Sequence, residues 1–214
     1  MAEKIETGDR AGLISRLAVL IGAGLIGAWL LPSLAAAQTN LLCNSGLTAG
    51  SGDAPQCWTH DAYTQPPGDV TFDWLKDQQP VQLEVWNYQP LDSRWKQTLH
   101  LKPGWYHFSA EVRTENVGEV NVGANLSLME TWIMSRNVQG SSYWEPIGFY
   151  LEVPQETNVV MALRVGFYSS ENTGRAYFRN PSVTQVTAAG ADAPSFKLES
   201  WYYSTSSAHQ EPSK

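Results

Sequence analysis

Three sets of residues fall at even spacing, which puts each on one face of an extended strand, and two of the sets combine aromatic or amide side chains with charged ones at every second position. Gln82, Glu84, Trp86 and Tyr88 form the first, Trp105, His107, Ser109, Glu111 and Arg113 the second, and Asn121, Asn125 and Ser127 the third. Such rows do non-covalent chemistry: a ring covers the apolar side of a ligand while an amide, carboxylate or guanidinium bonds its polar groups. The candidate contact residues are therefore Trp86, Tyr88, Trp105, Glu84, Arg113 and Asn125. Each has a plainer alternative. Trp86 and Trp105 are as open to burial as to ligand contact, and Arg113 is as open to a structural ion pair with a carboxylate such as Glu111.

Covalent and metal chemistry are poorly served. His60, His100, His107 and His209 are scattered, with no His-x-x-x-His or Cys-x-x-Cys spacing for zinc. No nucleophile is paired with a base, and carboxylates such as Glu84 and Glu111 carry no spacing diagnostic of a hydrolase. The expectation is a protein without enzymatic activity, cofactor or metal. A formal net charge of -7, with no run of Lys or Arg beyond residue 37, excludes the electrostatic footprint of a nucleic-acid binder. Asn125-Leu126-Ser127 fits a glycosylation acceptor, but it falls within a predicted strand.

The elements that must position these rows are strands. Short runs rich in Val, Tyr, Phe, Trp and Thr alternate with Gly, Pro, Asn and Asp clusters, and no long stretch has helical periodicity. Val81, Leu83 and Val85 point to one side, opposite the Gln82–Tyr88 row. Trp95 to Leu101 leads through Lys102-Pro103-Gly104 to a strand from Trp105, which reads as a hairpin. In that strand Tyr106, Phe108, Ala110 and Val112 form the apolar side. Further strands are expected at 120–128, 147–153, 159–167 and 176–186. About eight antiparallel strands make an all-β sandwich or jelly roll.

Ahead of this domain, Leu17 to Leu31 is uncharged and leads to Ala35-Ala36-Ala37. The pattern fits a signal peptide cleaved after Ala37. It also fits a transmembrane helix over residues 17–37, close to the roughly 20 residues a bilayer requires. On either reading the domain is exported, to the periplasm or cell surface, free or anchored in the inner membrane. Residues 1–37 are then the leader or anchor, 38–187 one domain of about 150 residues, and 188–214, rich in Ala, Ser, Gly and Pro around Trp201-Tyr202-Tyr203, a tail. Cys43 and Cys57 are expected to form a disulfide in an oxidising compartment, the alternative being two buried thiols.

Several segments occur in an order that resembles the carbohydrate-binding modules of the galactose-binding-like jelly-roll group found in bacterial envelope proteins. They are Asn40-Leu41-Leu42-Cys43-Asn44-Ser45-Gly46 followed by Pro55 and Trp58, Trp95-Lys96-Gln97-Thr98 through Pro103-Gly104-Trp105-Tyr106, Arg113 to Val117, Tyr143-Trp144, Arg164-Val165-Gly166, and Gly174-Arg175-Ala176-Tyr177-Phe178. The resemblance spans Asn40 to about Val186. It implies a non-catalytic domain that grips a polysaccharide or other glycan with aromatics on a sheet face. Trp58, Trp95 and Trp144, which carry the pattern, are expected to be buried. Where many members hold a structural calcium, this chain has Leu47-Thr48 and Arg179-Asn180, which lack the carboxylate oxygens calcium needs. The alternative function is a structural accessory subunit of an envelope membrane-protein complex, held to membrane-protein partners through an uncleaved helix, with the same aromatics as interface anchors.

Overall fold

The structure, a computed structural model, describes residues 38–64, 68–200 and 202. The leader, with the cleavage and anchoring readings placed on it, lies outside the described residues, as do Trp201 and Tyr203. From Gln38 the chain forms strands β1 (Gly50–Ser51), β2 (Ala54–Pro55), β3 (Thr59–Ala62), β4 (Val70–Leu75), β5 (Gln82–Leu91), β6 (Ser93–Leu101), β7 (Gly104–Glu115), β8 (Ala124–Leu128), β9 (Glu145–Val153), β10 (Thr157–Val165), β11 (Asn172–Val186) and β12 (Ser195–Lys197). A six-stranded sheet runs β12-β9-β7-β11-β5-β4, a four-stranded sheet runs β3-β6-β10-β8, and β1 pairs with β2.

Alternation decides what lies between the two large sheets. Leu83 and Val85 of β5, Phe108 and Val112 of β7, Ala176 and Phe178 of β11, and Val159, Met161, Leu163 and Val165 of β10 are completely buried in one core. Trp58 and Trp95 join it, and the Trp95 indole donates to the Glu84 carbonyl at 2.8 Å, tying β6 to β5 through the interior. Cys43 and Cys57 form the expected disulfide, with Cα atoms 6.0 Å apart.

Four expectations are corrected. The turn at Pro103-Gly104 does not close a hairpin: β6 belongs to the four-stranded sheet and β7 to the six-stranded one. Both strands aim their apolar side chains into the same interior, so the chain crosses the thickness of the core there instead of turning within a sheet. The strand expected from Val120 begins only at Ala124; Val120 is 96% exposed in a loop. The sandwich is not wholly antiparallel, because β12 pairs with β9 in parallel. The same strand lies inside the stretch expected to be a tail, and Leu198 just beyond it is buried against the core.

Candidate ligand-binding face

Side chains that β5, β11 and β7 turn away from the core meet on the outer face of the six-stranded sheet. Register sets who meets whom. Arg175 lies between Trp86 and Glu115, Tyr177 lies between Glu84 and Arg113, and Arg179 lies opposite Glu111. Trp144, immediately before β9, reaches the same face.

The result is a ladder of rings and guanidiniums. Trp86 packs against Tyr88 at 4.4 Å on one side of the row. The Arg175 guanidinium stands 4.5 Å from the Trp86 ring and 5.0 Å from that of Tyr177. Arg113 lies 4.0 Å from Tyr177 and 5.9 Å from Trp144, and Arg179 lies 4.0 Å from Trp144. Contacts of this kind contribute about 0.5–1 kcal/mol each where water has access.

Each guanidinium is also held by a carboxylate. Arg175 donates to Glu84 at 2.7 Å, Arg113 to Glu115 at 2.8 Å and Arg179 to Glu111 at 2.5 Å. The Arg113, Arg175 and Arg179 side chains stay 32%, 31% and 24% exposed, so they face solvent while held in place. Glu84 is different: it is 1% exposed, and its Oε1 is sealed from solvent without a hydrogen-bond partner among the described residues. Burial raises its pKa above the usual carboxylate value, against the lowering pull of Arg175. Burial, reinforced by the Glu84 charge, likewise raises that of the Tyr177 phenol.

Chemically, the face offers many fixed donors, since a guanidinium carries five N–H groups and spends only one or two on its carboxylate. It offers carboxylate acceptors beside them, and ring surface at Tyr88, which is 41% exposed. Three arginines are matched by Glu84, Glu111 and Glu115, so the row has no surplus charge with which to draw an ion.

Of the residues expected at a site, Glu84, Trp86, Tyr88 and Arg113 converge here. Trp105 does not. It lies at the other end of β7, paired with Glu152 and Val186, eight positions from Arg113, roughly 26 Å along a strand. Its neighbour His107 stacks on Tyr150 at 4.4 Å. Asn125 is on β8 of the other sheet and fully buried; its amide donates to the carbonyls of Gly123 and Gly166, at 3.0 and 3.1 Å. That burial also closes the glycosylation acceptor. The partner of Arg113 is Glu115, not Glu111. Trp144, expected to be buried in the core or under a loop, is a half-buried member of the ladder.

Arg175, Tyr177 and Arg179 were missed as site residues, although a signal was present. A strand is expected over 176–186; with Ala176 and Phe178 in its core face, alternation sends the residues between and beside them outward.

No protein-family model and no curated protein matches the chain. Solved structures similar to it include TmCBM61 in complex with β-1,4-galactotriose, at 12% identity over 69% of this chain and 99% of that one, with a TM-score of 0.46. The CBM22-1 xylan-binding domain from Paenibacillus barcinonensis Xyn10C is similar at 13% identity over 71% and 97%, with a TM-score of 0.44. The enzymatically active domain of bacteriophage CBA120 tailspike protein 4 is similar at 12% identity, over 69% of this chain but 21% of that one, with a TM-score of 0.47.

Proposed function

We propose that this chain is a non-catalytic carbohydrate-binding domain that works outside the cytoplasm, with the outer face of β5, β11 and β7 as its glycan-binding surface. The observation that carries the reading is the row in which half-buried Trp86 and Trp144 and the buried Tyr177 ring hold the part-exposed guanidiniums of Arg175, Arg113 and Arg179. A polyhydroxylated ligand needs closely spaced donors and acceptors that do not move when it arrives, and each guanidinium here is fixed by a ring and a carboxylate together. Balanced charge favours an uncharged chain over an acidic one. From β5 to the β9 side, the row crosses three strand spacings, roughly 14 Å, so an extended oligosaccharide suits it better than a single sugar. The uncharged run at Leu17–Leu31 and the Cys43–Cys57 disulfide support export.

Native affinity electrophoresis through gels containing β-1,4-galactan, xylan, mixed-linkage β-glucan or polygalacturonate tests this. The expected result is retardation by at least one neutral polymer, with Trp86→Ala and Arg175→Ala each weakening it about tenfold or more. Free migration through every gel, or retardation unchanged in both variants, overturns the assignment.

A further inference from the structure

A different aromatic group stands at the rim of the four-stranded sheet. Trp132 is 74% exposed, yet it is braced: its ring meets that of Tyr168 edge-on at 5.2 Å and lies 5.8 Å from Phe167. Those two rings meet each other at 4.6 Å, and each lies 4.6 Å from the Arg164 guanidinium. Arg164 is completely buried and gives two hydrogen bonds to Asp92, whose Oδ2 also accepts from the Tyr168 backbone N–H at 2.9 Å. A buried ion pair therefore sets the turn after β10, that turn aims Tyr168, and Tyr168 braces Trp132.

The facing turn, after β8, is fixed just as closely. Thr131 Oγ1 donates to the Leu128 carbonyl at 2.9 Å and accepts from the Ile133 N–H at 3.0 Å. Glu130 and Tyr168 both adopt left-handed backbone, at φ 60° and 48°, a conformation that costs a non-glycine residue about 1–2 kcal/mol. Between the turns lies a pocket lined by Glu130, Thr131, Trp132 and Tyr168. The Tyr168 hydroxyl beside it is sealed from solvent, next to the Thr131 backbone and the Arg164 guanidinium.

We infer that this pocket is a second carbohydrate-contact site, in which one uncharged sugar ring stacks on the Trp132 indole and gives hydroxyl hydrogen bonds to the Glu130 carboxylate. A 74% exposed indole, edge-on to Tyr168 and tilted to Phe167, has ring surface to offer, which the guanidinium-covered rings of the ladder largely lack. Glu130 repels an anion, and the Arg164 charge behind the rings is spent on Asp92; an apolar ring face beside a carboxylate acceptor suits a neutral ligand with an apolar face and hydroxyls. The site is built from turns of the other sheet, so it stands independently of the glycan reading of the six-stranded face. With both sites at work, one domain holds two points of a polysaccharide network.

Titration calorimetry with β-1,4-galactotriose, xylotetraose and a mixed-linked β-glucan tetrasaccharide, alongside the gels above, tests it on the full chain and on Trp132→Ala, Glu130→Gln and Trp86→Ala. Two sites per chain are expected, with Trp132→Ala weakening one about tenfold and Glu130→Gln weakening the same one, while the Trp86-dependent site persists. The exposure of Trp132 allows that variant to fold, which its thermal transition verifies. Binding by wild type that Trp132→Ala leaves unchanged overturns the second site alone. Binding abolished by Trp132→Ala and indifferent to Trp86→Ala upholds it and removes the face. Absence of binding to any of these sugars and polymers overturns both.

Discussion

Glu84 shows how a side chain can be placed by the strand pattern and still be misjudged. Its position opposite Leu83 and Val85 marks it as outward, and an outward glutamate on an antiparallel sheet ordinarily meets water. Here the outward side is itself covered: Tyr177 and Arg175 of β11 lie over it, and Asp73 of β4 flanks it in register. Because burial raises the Glu84 pKa, the folded protein keeps a proton that the unfolded chain has lost. Its contribution is fully present below the ordinary glutamate pKa and is lost as pH rises through the raised one. Urea unfolding across the acidic range should show stability falling with pH through that window for wild type relative to Glu84→Gln. Parallel profiles for the two proteins would mean that Glu84 titrates normally. The arginines beside it were out of reach for another reason: alternation says that Arg175 faces outward, but only register says that it meets Trp86 and Glu84.

At the scale of elements, strand interiors were legible and connections were not. Alternating core residues located β5, β6, β7, β9, β10 and β11 to within a few positions, because burying one face leaves a period of two in the sequence. Pro103-Gly104 announces a turn whether the chain stays in a sheet or crosses to the other, so β6 and β7 looked like partners. β12 is three residues long and has no period to read. Trp132 was overlooked because an exposed tryptophan in a loop has the same sequence signature as a buried one. The loop closed by Cys43–Cys57 was legible, and it is reinforced inside. Asn44 Oδ1 accepts from the N–H groups of Thr48 and Ala49, at 3.1 and 3.2 Å, while its amide donates to the Ala49 carbonyl at 2.7 Å. Paired Cys43→Ser and Cys57→Ser replacements should cost about 3 kcal/mol in urea unfolding, the value for a loop of this size. A loss well below that would show that the Asn44 network alone restrains the loop.

For the whole molecule, the open question is what accompanies the sandwich in the cell, and mass answers it. Cleavage after Ala37 predicts an intact mass that begins at Gln38, in the soluble extracellular or periplasmic fraction. A full-length chain recovered from the membrane in a large detergent-stable complex would favour the accessory-subunit reading instead, with the exposed aromatics committed to protein partners. The net charge of -7 bears on the same point, since an acidic domain gains little from general attraction to anionic surfaces and must recognise its ligand by contact. The described chain enters the fold beside its last long strand. The Asn40 side chain accepts from the Val183 N–H at 3.0 Å and donates to the Pro181 carbonyl at 3.0 Å, and the Leu41 N–H reaches the Val183 carbonyl at 2.8 Å. Tension applied at Gln38 therefore passes into β11, the strand that carries Arg175, Tyr177 and Arg179. A glycan held on that face would be joined to the pulling end first through the strand clamped between β5 and β7, so load would enter the fold on the sheet that carries the ligand.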